Sequence, residues 1–500
     1  MNDHTPRPGG CCGSAPATGA DAAEQATAVL GTGTGGDGSG QEPPVVVIGA
    51  GPVGLAAAAH LAERGLPFLV LEAGERAGAA VSEWGHVRLF SPWRHDIDAA
   101  ARRLLEAAGW TAPPADALPT GAELVRDYLA PLARVPALAA NIRTGTEVLA
   151  VTRDGLDATR TVGRDEHPLL VRTRDTAGEI RDVRARAVID ASGTWRNTNP
   201  LGHSGLPAPG ETEAAAVITG PLPDVLGRDR GRFAGKHTLV VGAGHSAANT
   251  LLSLTRLAGE APGTRITWAV RGGSAARLYG GGDADGLPAR GALGARLKEA
   301  VDAGAIRLVH SFAVTRLDSL DSPADGTVRV TGATPAGERT VSADTVVAAT
   351  GFRPDLDLLR EVHTELDPAT EAPVRLAPMI DPNFHSCGTV PPHGERVLAH
   401  PETGLYIAGM KSYGRAPTFL MATGYEQVRS IAAALAGDRA AADTVRLDLP
   451  ETGVCSTDPP AEDEAAAAGC CGSSAPEPLS LGAPVGFATG REHGYSGERR

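Results

Sequence analysis

The chain has 500 residues, of which 42% are apolar, 21% charged and only 4% aromatic. That length implies roughly two to four domains, and that composition excludes a mostly disordered chain while requiring a core built from Ala, Val and Leu. Of the net charge of −13, residues 1–42 carry −4 and residues 451–500 carry −5; no basic stripe appears, so neither nucleic acid nor an anionic membrane is expected as a partner.

Residues 1–42 are mostly Gly, Ala, Thr and Ser, with a linker-like run at 31–40 and the adjacent pair Cys11 and Cys12. Such a segment cannot bury enough to order itself and is expected to be a disordered tail. Its start lacks a basic stretch followed by an apolar one, so no secretory signal is expected. The folded body begins near residue 43. Val45–Ile48 reads as a strand, Gly49-Ala50-Gly51-Pro52-Val53-Gly54 as a tight turn, Leu55–Arg64 as an Ala-rich helix, and Phe68–Leu71 as a second strand ending at Glu72. The apolar run 45–61, broken only by His60, has the length of a borderline membrane span, but its glycine spacing explains it better.

In that spacing Gly49 permits the turn out of the strand. Gly51 lets the backbone approach a pyrophosphate, and Gly54 lets helix and strand pack closely. The helix N-terminus then offers unpaired N–H groups to phosphates, and Glu72 can accept hydrogen bonds from a ribose diol. The plainer reading is a glycine-rich structural turn. Trp84-Gly-His86-Val-Arg88-Leu-Phe90-Ser91-Pro-Trp93 next concentrates aromatics in an aromatic-poor chain, as a ligand wall or as packed core. Strand-like runs follow at Ile142–Val151 and Ala187–Thr194.

The plan then repeats. Thr238–Val241 meets Gly242-Ala243-Gly244-His245-Ser246-Ala247, a helix runs to about Leu257, and Ile266–Val270 is the second strand. Runs at Ile306–Leu317 and Thr345–Phe352 match those after the first copy. Where Glu72 ends the first unit, the second carries Arg271, with Arg277 nearby and no carboxylate. A guanidinium attracts a 2′-phosphate that a carboxylate would repel, so Arg271 favours NADPH over NADH; the alternative is a solvated surface Arg. Leu405–Ala408 is strand-like again, so the second copy lies inside a continuing first domain. Beyond it come Lys411, one of only three lysines, and Tyr413; Thr423 is expected to cap a helix from about Gly424 to Ala436. Residues 451–500, acidic and rich in Ala, Gly and Pro, are expected to form a second disordered tail.

These motifs together resemble the two-dinucleotide-binding-domain flavoproteins over nearly all of 43–440. Ala349-Thr350-Gly351-Phe352-Arg353-Pro354-Asp355 is similar to their motif joining the NADPH domain back to the FAD domain, and Ala191-Ser192-Gly193-Thr194 to its counterpart before that domain. Phe233–Ala247 is similar to the start of the NADPH site in flavin-containing and Baeyer–Villiger monooxygenases. The whole sequence resembles actinobacterial arsenic-resistance-associated flavoprotein monooxygenases. The resemblance implies an α/β fold with two Rossmann-like domains and FAD and NADPH as cofactors. FAD-binding parts are expected at 43–220 and 346–450, the inserted NADPH domain at 221–345, and tails at 1–42 and 451–500. Gly49, Gly51, Gly54, Glu72, Gly242, Gly244, Ala247, Arg271, Thr350 and Gly351 are the expected cofactor residues. Trp84, His86, Arg88, Trp93, Lys411 and Tyr413 are expected near flavin and substrate. No side chain is assigned as a general acid or base, because the flavin carries the chemistry.

The chain also departs from its relatives. The F-x-G-x-x-x-H fingerprint of flavin-containing monooxygenases is absent between Gly210 and Phe233. Gly409 is followed by Met410 and Lys411, not by the Asp of disulfide reductases. The body holds only Cys387, and a lone thiol cannot cycle as a dithiol. The other cysteines form near-identical tail motifs, Cys11-Cys12-Gly-Ser-Ala-Pro16 and Cys470-Cys471-Gly-Ser-Ser-Ala-Pro476, with Cys455 nearby. Adjacent Cα atoms, about 3.8 Å apart, are too close for an unstrained disulfide, and paired free thiols suit As(III) or another soft ion. Chance thiols are the alternative. Sparse cysteines favour a cytoplasmic location. The expected function is an FAD- and NADPH-dependent monooxygenase-type reaction of O2 with a small molecule, linked to metalloid resistance. Two alternatives are an NADPH-dependent reductase of a metalloid or other acceptor, and a thiol-based metalloid-binding flavoprotein without turnover.

Overall fold

One strand–helix–strand plan is built twice, and each copy becomes a parallel sheet. The computed structural model describes residues 42–275, 279, 287–319, 327–382, 390–416 and 419–447. The first copy runs β1 (Val45–Ile48), α1 (Pro52–Glu63), β2 (Phe68–Leu71) and β3 (Ile142–Arg143). It continues through β4 (Thr146–Arg153), β5 (Leu169–Asp175) and β6 (Ile180–Ala185) to β7 (Ala187–Asp190). The second runs β8 (Ile218–Thr219), β9 (His237–Val241), α2 (His245–Glu260), β10 (Arg265–Ala269), α3 (Pro288–Asp302) and β11 (Arg307–Val309). It ends with β12 (Ala313–Ser319), β13 (Val328–Thr334), β14 (Gly337–Ala343) and β15 (Thr345–Ala348). Then come β16 (Leu405–Ile407) and α4 (Met421–Leu435).

The first sheet has the order β16-β7-β1-β2-β3 and the second β11-β10-β9-β15-β8, both parallel throughout. The strands of the second sheet and its meander run from residue 218 to residue 348. All of them precede β16, which returns to pair with β7.

Each sheet is sandwiched. Along β1, Val45 and Val47 face α1 and α4, while Val46 and Ile48 face the antiparallel meander β4–β6. In β9, Val240 faces α2 and α3, while Leu239 and Val241 face the meander β12–β14. The period-2 alternation of a strand thus feeds two cores at once. The expected runs 142–151 and 306–317 are each broken, at Gly145 (φ 61°) and Ser311 (φ 51°), where the chain leaves the parallel sheet for its meander. The apolar run 45–61 becomes a strand and a helix, and among the described residues no helix is long and apolar enough to cross a membrane.

A buried ionic clamp joins chain segments from both sides of the second unit. Glu402 accepts from Arg153 Nε at 2.5 Å, from Arg164 Nη2 at 2.8 Å and from the His363 N–H at 2.9 Å. Arg153 also donates to the Thr403 carbonyl, and Arg164 to the Glu361 carbonyl. Burial opposes charge on Glu402, but the bonds from Arg164, His363 and Arg153 outweigh it and hold its carboxyl below the usual range.

Glu402→Ala would strand two buried guanidinium groups, and is expected to lower the unfolding free energy by about 3–5 kcal/mol. The wild-type contribution is complete at neutral pH. It fades as pH falls from about 4.3, the unfolded glutamate value, through the lower folded one. Denaturant unfolding at neutral and acidic pH reads both effects; equal stability of the two proteins at neutral pH would refute the clamp.

Candidate functional site

The two glycine turns share one geometry. Gly49 has φ 95°, and a Cβ there would meet the Ala191 carbonyl at 2.9 Å; Gly242 has φ 133° and abuts the Ala349 carbonyl in the same way. A Cβ on Gly54 would collide with the Gly49 carbonyl, whereas Ala247 is accommodated fully buried in the second copy. Gly51 and Gly244 differ from these: a Cβ on either would meet nothing within 4 Å. Each is the residue before its helix, α1 or α2, and neither helix start has a side-chain cap. Both helices therefore present uncapped N–H groups and a partial positive charge.

The first turn opens on a cavity of about 1050 Å³ lined by Gly49, Gly51 and Glu72, and reaching His245, Ser246 and Asn249 at the start of α2. Glu72 Oε2 accepts from the Ala50 N–H and Oε1 from the Gly74 N–H, both at 2.7 Å, which fixes the carboxylate at the mouth of the turn. Each oxygen retains a lone pair for a ribose hydroxyl. In the second copy Val270 follows β10, and exposed Arg271 comes next, its Nη1 donating to the His203 carbonyl at 3.3 Å. Arg277 lies outside the described residues.

The expected aromatic segment divides. Trp84 and Arg88 line the cavity, Trp93 is buried in the core, and the exposed His86 does not line the cavity. Residues not foreseen complete the wall. Trp195 lies 6.5 Å from Trp84 and 5.4 Å from Phe352, ring centre to ring centre, and Arg196 and Arg353 add cations. Phe352 lies inside the motif at 349–355 and Trp195 directly follows the one at 191–194; neither was assigned a role.

Residues 191–199 and 349–355, which contain those motifs, form the two crossing segments between the sheets, referred to below as the crossing strands. The Asn199 N–H donates to the Gly351 carbonyl, the Arg353 N–H to the Asn197 carbonyl, and Thr350 Oγ1 to the Asn199 carbonyl at 2.6 Å. Thr350 and Gly351 thus tie the crossings together, while Phe352 to Asp355 face the cavity. Lys411 lines the cavity floor and is fully buried, donating to Asp190 Oδ2 at 2.6 Å and to Ser192 Oγ at 3.1 Å. Tyr413 does not reach the cavity; it packs behind the lining residue Phe419 and against His393.

Helix α4 starts at Met421, earlier than expected. Leu420 is its cap residue and accepts the Thr423 N–H with its carbonyl, so Thr423 sits in the first turn and caps nothing. Gly424 permits this approach: a Cβ there would press on Val53 at 2.6 Å and on Phe419 at 2.8 Å. Cys11, Cys12, Cys387, Cys455, Cys470 and Cys471 all lie outside the described residues, among which no cluster of metal ligands occurs.

The open position at Gly51, the uncapped α1 and the carboxylate of Glu72 fit the pyrophosphate and ribose of FAD. The open position at Gly244, the uncapped α2, and Val270 and Arg271 directly after β10 where the first copy has Glu72, fit NADPH. FAD, when bound, would supply the electron-transfer chemistry, with Gly51, the start of α1 and Glu72 as the groups that would hold it.

The family model of the pyridine nucleotide-disulphide oxidoreductases matches residues 46–377, about two thirds of the chain. No curated protein matches it. Among solved structures, the bacillithiol disulfide reductase Bdr (YpdA) of Bacillus cereus is similar at 20% identity, covering 79% of this chain and 99% of that one with a TM-score of 0.58. The FAD-bound cadaverine monooxygenase DfoA of Erwinia amylovora is similar at 14% identity, covering 82% and 98% with a TM-score of 0.56. The ornithine N-hydroxylase KtzI of Kutzneria sp. 744 is similar at 17%, covering 80% and 100% with a TM-score of 0.51. At these identities the likenesses show a shared fold. The family match spans both glycine turns and both crossing strands, and the chain belongs to the pyridine nucleotide-disulphide oxidoreductase family, as an oxidoreductase that uses FAD and NADPH.

Proposed function

We propose that this oxidoreductase is of monooxygenase type: it takes reducing equivalents from NADPH through FAD and uses O2 on a small molecule. One observation carries the reading: the cavity between the two glycine turns is walled by aromatic and cationic side chains, and the body of the sequence offers no pair of thiols to work beside it. The fold neighbours with monooxygenase and hydroxylase activity lend support. In this reading residues 43–220 and 346–450 hold FAD and 221–345 hold NADPH, with Arg271 facing the 2′-phosphate. The second reading, an NADPH-dependent reductase, is favoured by the disulfide-reductase neighbour and by the tail cysteines, which would bring As(III) or another soft ion to the protein.

NADPH consumption measured with and without O2 separates the two. The monooxygenase reading expects turnover to stop without O2. Undiminished anaerobic turnover with a disulfide or a metalloid as acceptor would select the reductase.

Gly51→Val is expected to fold, because its backbone φ of −78° suits any residue and the space beside it is empty, but to purify without FAD. Full flavin absorbance in this variant would refute the pyrophosphate assignment.

Arg271→Ala is expected to weaken NADPH binding about tenfold or more, by loss of a charged hydrogen-bonding fork, and to leave NADH almost unaffected. Equal effects on the two nucleotides, read by flavin reduction rates, would remove Arg271 from the phosphate site.

A further inference from the structure

Behind the cavity wall lies a carboxyl group that none of the cofactor contacts uses. Ser91 lines the cavity, and its hydroxyl donates to Asp96 Oδ1 at 2.6 Å. Asp96 is 1% exposed and does not itself reach the cavity. Its Oδ2 is buried with no hydrogen-bond partner, and among the described residues no cation pairs with it.

The groups around Asp96 are phenols and an already closed ion pair. Tyr425 on α4 donates from its hydroxyl to the Asp96 carbonyl at 2.7 Å. Tyr128 accepts the Asp98 N–H at 3.1 Å. Burial first pushes both phenols far up, followed by Asp98 for Tyr128, and by Tyr128 and then Asp96 and Asp98 for Tyr425. Asp98 is held by His60 at 2.9 Å and by the Ala101 N–H. Glu426, next to Tyr425, is bound by Arg429. On the short helix Trp93–Asp96, Arg94 is exposed and paired with Asp116, and His95 stands half-buried beside it. Burial therefore acts against the carboxylate with only the Ser91 bond opposing it, and the Asp96 carboxyl is pushed up to about 7.

We propose that Ser91 and Asp96 form a proton-accepting relay for this cavity, serving a substrate whose reacting atom must first lose a proton. The proposal rests on the reading of the cavity as the flavin and substrate site. The proton leaves a substrate heteroatom for Ser91 Oγ, while the Ser91 hydroxyl proton moves to Asp96 Oδ1. The electron pair of the broken bond stays on the substrate atom, and Asp96 passes from carboxylate to neutral acid. A site that exchanges protons near neutrality needs an acceptor whose two forms lie close in energy, which a buried carboxyl with one bonded and one bare oxygen provides. Ser91 is the contact group; Asp96 acts through it.

Infrared difference spectra of FAD-loaded wild type against Asp96→Asn isolate the carboxylic C=O band of Asp96, without any substrate. The band is expected to disappear on titration through about pH 7 and to shift promptly in D2O. In Ser91→Ala the transition is expected to move to higher pH, because the bond favouring the charged form is lost, and deuterium exchange to slow markedly. Ser91→Thr, which keeps the hydroxyl, is expected to restore both. A carboxyl already ionised well below neutral pH, or exchange equally fast in Ser91→Ala, would overturn the relay. A protein without bound FAD would instead overturn the cofactor reading, while the same titration remains readable in the apoprotein.

Discussion

A lysine ammonium and an aspartate carboxylate, both fully withdrawn from water, meet at 2.6 Å beneath the cavity. Asp190 ends β7, and Lys411 follows β16, on the far side of the whole second unit. Removing two charges from water is expensive, and further hydrogen bonds around the pair offset part of that cost. Asp190 Oδ1 accepts the Ser192 N–H at 3.1 Å and the Ser192 hydroxyl at 2.7 Å, and Ser192 Oγ in turn accepts from Lys411. Such a pair adds little net stability, but it penalises any arrangement in which the returning chain docks out of register. With the Glu402 clamp on the opposite side of β16, it makes a sheet of two distant segments behave as one continuous piece. The first crossing strand leaves directly from Asp190, so its direction is set at this pair.

The duplication shows which features the fold needs and which belong to a site. Both copies keep the positive-φ glycine beneath the last strand, because a carbonyl there leaves no room for a side chain. Both keep an open glycine where the helix begins. They differ where a ligand would be distinguished. Glu72 follows β2, while Val270 and Arg271 follow β10; Gly54 admits no Cβ, while Ala247 does. The third glycine is thus a matter of helix-to-strand distance, whereas the second stays open in both copies for a reason lying outside the chain.

Strands and helices of both copies were legible in the sequence because β-branched runs, glycine turns and Ala-rich helices all agree locally. The breaks at Gly145 and Ser311 were not, because a strand that changes sheets keeps the same apolar alternation on both sides of its bend. The start of α4 was misplaced for a similar reason. Thr423 satisfies the capping preference in isolation, but close packing at Gly424 and a backbone bond to Leu420 begin the helix sooner. At the site, spacing alone singled out the glycines and Glu72. It did not single out Trp195, Phe352, Ser91 or Asp96, since only the crossing of the two strands and one helical turn after Pro92 bring them to or behind a common wall.

The family takes its name from thiol chemistry, yet a fold passes on its cofactor geometry more faithfully than its reactive group. Dithiol chemistry needs two sulfurs within reach of each other, and between Cys12 and Cys455 the sequence has only Cys387. What stands at this cavity instead is a row of three aromatic rings, guanidinium groups from both crossing strands, and a serine backed by a buried acid. Aromatic walls exclude water and guanidinium groups hold anions, but neither can take up a proton near neutral pH. A carboxyl that burial pushes up to about 7, and that has no cation beside it among the described residues, can. In the proposed relay the scaffold would hold two dinucleotides, and the substrate's proton would pass to side chains behind the wall.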